Sequence, residues 1–172
     1  MLKYLIMCRT INAEQHGKRI NNMKGFNIDS AHTVILGTYP GQKSYKTKKY
    51  YSDVTNWFWQ LLGIKYQDYE ELKSRGIGLW DVIKSCDTKY SSSDKSIKNP
   101  KYNDLSVLDG KRIFFNGKKA YVFYKRAIRQ KKIKALERST IFYLPSSSRS
   151  NTKISPEEKQ VAWCKVFNKQ DG

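Results

Sequence analysis

The side chains best suited to chemistry in this 172-residue chain stand where apolar runs end. Asn56 precedes Trp57, Phe58 and Trp59; Asp81 closes "IGLWD"; Asn116 closes "RIFFN"; Ser146, Ser147 and Ser148 follow "IFYLP". A carboxamide at a cleft can orient a water molecule without acting as a strong base. A carboxylate in an apolar run is costly unless a donor pairs with it. Each residue also has a plain structural use: Asn56 suits a helix cap, and Asp81 and Asn116 suit turns.

Around these stand groups that bind anions. "GTYPG" places Gly37, Thr38 and Tyr39 in a strand-exit turn stiffened by Pro40. "QKSYKTKKYY" then mixes Lys43, Lys48 and Lys49 with Tyr51 and other tyrosines, suiting phosphates and an unstacked base, or else a solvated face with its tyrosines packed inward. Residues 111–134 contain ten Lys or Arg and no Asp or Glu, with Lys118 and Lys119 opening a helix whose free N–H groups attract anions. Lys125, Arg126 and Arg129 fit equally a solvated face. In "LPSSSRSN", three hydroxyls offer short phosphate donors and Arg149 is long enough to enter a base stack.

With 33 Lys plus Arg against 15 Asp plus Glu, the net charge of +18 points to a polyanion. No apolar stretch reaches the length of a membrane-spanning helix, and "LKYLIMC" is too short for a signal sequence, so an intracellular protein is expected. Cys8, Cys86 and Cys164 lie far apart with two histidines, which excludes a disulfide framework and disfavours a metal site.

Residues 1–28 lack periodicity and are set apart as an N-terminal extension, leaving one domain over 29–172. "TVILGT", "IGLWDVI", "KRIFFNG" and "STIFYLP" read as strands. Helices are expected at "NWFWQLLG" with Thr55 as N-cap, "YQDYEELKSRG", "KKAYVFYKRAIRQ", and "SPEEKQVAWCKVFNKQ" capped by Ser155; "SSSDKSIKNPKYND" reads as a loop. Such alternation implies parallel strands with helices on both faces and a site beyond the strands' carboxyl ends.

Taken in order, "GTYPG", "TNWFW", "GIGLWDVI", "FFNGKKA" and "LPSSSRSN" resemble the uracil-DNA glycosylase superfamily over about residues 27–170, nearest its hypoxanthine-DNA (deoxyinosine) glycosylase branch. The mismatch-specific uracil/thymine branch is similar too. The resemblance implies an α/β fold, a three-layer α/β/α arrangement around a short, mostly parallel four-stranded sheet. It implies a monofunctional enzyme that flips a deaminated base, hypoxanthine foremost, and hydrolyses its N-glycosidic bond to leave an abasic site. No cofactor or metal is implied, and three scattered cysteines do not match the four of the iron–sulfur members. The implied partner is double-stranded DNA with a deaminated or mismatched base, the enzyme a monomer in the cytoplasm or nucleoid, or in a nucleus.

Carried over residue by residue, Asn56 is the catalytic candidate that orients water and stabilises the positive sugar. Gly37, Thr38, Tyr39, Tyr51, Asp81 and Asn116 form the base pocket. Lys43, Lys48, Lys49, Lys118, Lys119, Ser146, Ser147, Ser148, Arg149 and Ser150 meet DNA, with Arg149 or Ser150 as the wedge. Three departures stand out: Tyr39 replaces the Asp or Asn many members carry before the proline, Arg149 replaces a proline, and the last loop lacks histidine. A silent nucleic-acid binder on the same fold and an RNA-processing or nucleotide-hydrolysing enzyme are the alternatives.

Overall fold

The computed structural model describes residues 17–20, 23–88 and 97–167. In chain order its elements are β1 (Gly17–Ile20), β2 (Thr33–Gly37), α1 (Gln42–Thr47), α2 (Phe58–Leu61), α3 (Tyr69–Ser74), β3 (Ile77–Asp81), β4 (Ile83–Thr88), β5 (Lys98–Tyr102), a 3-10 turn at Ser106–Leu108, β6 (Arg112–Asn116), α4 (Lys118–Arg129), β7 (Thr140–Leu144) and α5 (Pro156–Cys164). Strands β3-β2-β6-β7 form a parallel sheet in that order. The expected four-stranded parallel sheet is therefore present, its central strands apolar from Val34 to Leu36 and from Ile113 to Phe115, where both faces are covered.

The pleat divides the core. Ile35, Ile77, Leu79 and Phe114 face α2, α3 and α5 through Phe58, Leu72 and Trp163. Val34, Leu36, Ile113 and Phe115 face α4, whose Ala120, Phe123, Tyr124 and Ala127 recur with helical spacing. Phe58 is completely buried and meets Trp59 and Trp163 edge-on. Truncating it to alanine would cost about 3–5 kcal/mol and loosen the turn that carries Asn56.

Three expectations are corrected. "IGLWDVI" is not one strand: after Asp81 the chain crosses at Val82 into β4, which belongs to a second, antiparallel sheet ordered β1-β4-β5. "KNPKY", read as loop, is β5; its Pro100 is tolerated because β5 is an edge strand of that sheet. Thr55 does not cap α2; its N–H and hydroxyl both donate to Asp53 Oδ1, and the Phe58 N–H is taken by Asn56 Oδ1. The helix is one turn long because Gly63, at φ 61°, ends it soon after.

Part of the segment set apart as an extension packs with the domain. Gly17–Ile20 pairs with β4, Met23 is buried, and Phe26 exchanges two backbone hydrogen bonds with Leu79 (2.8 and 3.0 Å). Residues 1–16, including Cys8 and His16, lie outside the described residues.

Candidate active site

The carboxyl ends of the four parallel strands open on one cleft of about 530 Å3. Gly37, Thr38 and Tyr39 leave β2 there, Asp81 ends β3, Asn116 ends β6, and Ser146, Ser147, Ser148 and Ser150 follow β7. Lys119 enters from the start of α4, and Lys43, Tyr51 and Asn56 from the connection after β2. Parallel strands produce this convergence because all their exits lie on the same edge of the sheet.

Two glycines are required by close approach. A Cβ on Gly37 would lie 2.5 Å from Asp81 Oδ1, so only glycine lets β2 lie against that carboxylate. Gly117, at φ 89°, would place a Cβ 2.9 Å from that of Ser146; its N–H donates to the Leu144 carbonyl at 2.9 Å. The β6 exit is thereby held beside the last loop.

Asp81 is 4 % exposed and faces the cleft. Near it, Tyr51 stacks flat on Phe58, with centroids 3.6 Å apart and planes 3° from parallel. Burial drives the Tyr51 phenol far above its ordinary pKa; the Asn116 hydrogen bond opposes this and the Asp81 charge adds to it. The phenol is therefore neutral at any cellular pH. Tyr50 is pushed up likewise, by burial first and Asp81 second.

Asn116 joins these parts. Its Nδ2 donates to Tyr51 Oη (3.0 Å) and to Ser147 Oγ (2.8 Å), and its Oδ1 accepts from the Ser147 N–H (2.9 Å). Both amide hydrogens are engaged, so Asn116 lines the cleft as a brace. The Ser147 carbonyl in turn accepts from the Trp57 N–H at 3.0 Å. Asn56 thus sits one residue from a backbone contact with the last loop. Its N–H donates to the Asp53 carbonyl (2.9 Å) and its Oδ1 accepts from Phe58 N–H (3.0 Å). One lone pair of Oδ1 and the Nδ2 group have no protein partner among the described residues, which leaves a carboxamide able to hold water.

A buried lysine braces the last loop from below. Lys159, 1 % exposed, donates to the Asn151 carbonyl at 2.6 Å and lies 4.7 Å over the Trp57 ring. Trp163 Nε1 donates to the Pro145 carbonyl at 2.9 Å, so α5 holds both ends of the serine loop.

Comparison with known proteins agrees with this arrangement. The family model of the uracil DNA glycosylase superfamily matches residues 23–167. The chain belongs to that superfamily. It is 30% identical to the hypoxanthine DNA glycosylase of Methanosarcina barkeri over 156 residues, covering 82% of this chain and 93% of the relative. The hypoxanthine DNA glycosylase of Methanosarcina acetivorans is 30% identical over 154 residues, covering 81% and 92%. A solution NMR structure from Methanosarcina acetivorans, provisionally named a uracil DNA glycosylase, superposes with a TM-score of 0.63 at 28% identity, covering 84% of this chain and 96% of that one.

Within this superfamily member, four of the residues assigned to DNA lie outside the cleft lining. Lys48, Lys49, Lys118 and Arg149 are exposed around it. Arg149 borders a neighbouring depression with Thr55, Asn56 and Trp57. Lys48 bends back over the Tyr45 ring at 4.2 Å. Sequence reasoning did not single out Ser44 or Asp53, which also line the cleft; Tyr50, one of the tyrosines of the lysine tract, lines it too. Asp53 had a signal: an aspartate two residues before a threonine forms a local turn, and its carboxyl is held below the ordinary range by the Thr55 N–H and hydroxyl. Among the described residues, no helix is long and apolar enough to cross a membrane.

Proposed function

We propose that this protein, a monofunctional DNA N-glycosylase of the uracil DNA glycosylase superfamily, excises hypoxanthine from double-stranded DNA. The observation that carries the reading is the meeting of Asn56, Tyr51 and the nearly buried Asp81 in one cleft. Hypoxanthine presents an N1–H donor where adenine presents an acceptor, so the Asp81 carboxylate pairs with one and repels the other. The names of the two curated relatives support the same base.

The flipped base enters beside the Tyr51 ring, with Lys43, Lys119 and the serine loop against the flanking phosphates. As the C1′–N bond breaks, its electron pair leaves with the base and positive charge spreads over the sugar. The Asn56 carbonyl orients the water that adds to C1′; that water's hydroxyl stays on the sugar and its proton balances the charge of the departing base. Backbone N–H groups and the hydroxyls of Ser146 and Ser148 stabilise that base in place of a histidine.

Uracil is a second reading, because its N3–H also offers a donor to Asp81. Duplexes carrying a single hypoxanthine, uracil or G·T mispair, treated with protein and then alkali, test both. Strand breaks at hypoxanthine foremost are expected. Breaks confined to uracil or thymine would move the assignment to the mismatch branch, and no breaks on any duplex would overturn catalysis.

A further inference from the structure

The outer face of α4 carries a second groove that the cleft does not use. Tyr121, Lys125 and Ile128 form one ridge along the helix, Val122, Arg126 and Arg129 the other, around a space of about 480 Å3. Val122 is 41% exposed, and Lys125, Arg126 and Arg129 all face solvent. Beyond the helix, Lys131, Lys132 and Lys134 continue the run of exposed cations. Tyr143 of edge strand β7, 57% exposed, meets Tyr121 edge-on at 4.6 Å and widens the aromatic border.

Lys119 opens α4 at the cleft, whereas Arg129 lies ten residues on, roughly 15 Å along the helix axis. The axis runs away from the strand exits, so the far half of this groove, at Lys125, Ile128 and Arg129, lies off the cleft mouth. Apolar Tyr121, Val122 and Ile128 interleaved with Lys125, Arg126 and Arg129 fit unpaired bases, whose ring faces are hidden inside a duplex, with the cations against phosphates. The absence of Asp and Glu from residues 111–134 removes the repulsion a linear polyanion would otherwise meet.

We propose that the outer face of α4 is a single-stranded nucleic-acid-binding surface, separate from the cleft and able to hold a second segment while a lesion duplex occupies the site. The inference extends the DNA reading above. Fluorescent oligo(dT) of about 12 nucleotides, within the range of single-strand site sizes, is titrated into protein already saturated with a short lesion duplex.

A ternary complex is expected. In Lys125→Gln/Arg126→Gln/Arg129→Gln, oligo(dT) affinity should fall more than tenfold and the salt slope by about 2, three contacts at roughly 0.7 each. Duplex affinity should stay within twofold, which also reports an intact fold, and Lys125→Arg/Arg126→Lys/Arg129→Lys should restore oligo(dT) binding. Displacement of the duplex by oligo(dT), an unaffected triple variant, or equal binding of polyglutamate or undamaged duplex at this face would each overturn the proposal. Loss of excision on every lesion with ternary binding intact would sink the catalytic reading and leave this surface standing.

Discussion

Asn116 and Ser147, thirty-one residues apart, are joined by two hydrogen bonds of 2.8 and 2.9 Å, and Asn116 makes a third, of 3.0 Å, to the Tyr51 phenol. The pair fastens the exit of β6 to the loop after β7. Through the Ser147 carbonyl it also fastens that loop to Trp57. A cleft built from four separate connections is thereby held as one piece before any substrate arrives, as preorganised catalysis requires.

Removing Asn116 should therefore cost more than removing the Ser147 hydroxyl. Asn116→Ala strands the buried Ser147 N–H and the Tyr51 phenol, a loss of about 2–3 kcal/mol. Ser147→Ala keeps both of its backbone bonds and should cost about 1 kcal/mol. Urea unfolding followed by circular dichroism measures both; equal losses would show that the backbone bonds, not the amide, bear the coupling.

Asn56 has two duties that substitutions can separate. Asn56→Ala removes the Phe58 N–H acceptor and the water-orienting carbonyl, so stability should fall by about 1 kcal/mol and single-turnover excision by roughly a hundredfold or more. Asn56→Asp keeps the acceptor and should retain stability. Alkali-labile sites counted against time give the rate; an Asn56→Ala enzyme that excises normally would move the water to another residue, with Asp53 the next candidate in the cleft.

The four parallel strands were legible because each is a short apolar run ending in a glycine, proline or polar residue, and in β2, β3 and β6 burial on both faces removes any alternation to misread. The capping box at Ser155 and Glu158 was legible because both halves are local, and the structure shows both bonds. The second sheet was not: β5 reads "KNPKY", with no buried side of its own, and its pairing with β4 comes from contacts distant in sequence. Thr55 was misread because Asp53, two residues earlier, captures it before it can turn to the helix. The bond between Asn116 and Ser147 had no sequence signal, since nothing in "FFNG" or "PSSS" says which turn faces which.

Asp81→Asn tests base reading. The amide matches the carboxylate in shape, so the packing around the cleft is kept while the charge is removed. A charge-assisted hydrogen bond to the N1–H is worth roughly 1.5–3 kcal/mol, so hypoxanthine excision should fall about tenfold to a hundredfold under single-turnover conditions. An unchanged rate on hypoxanthine would remove Asp81 from base recognition and return it to a turn-capping role.

The tyrosines around the cleft set a limit on alkaline stability. Tyr50 and Tyr51 are raised well above the ordinary phenol value, and Tyr69 is pushed up to about 12, in each case chiefly by burial. A raised folded-state pKa disfavours the charged form within the fold. The unfolded phenols ionise near pH 10, so stability from these groups is full below that pH and declines as pH rises through the folded values. Urea midpoints measured from pH 8 to 11.5 should thus fall steeply above pH 10. Tyr51→Phe should flatten that fall while costing stability at pH 8 through the lost Asn116 bond. A profile as steep in Tyr51→Phe as in the parent would show that Tyr51 ionises no less readily in the folded protein than in the unfolded chain.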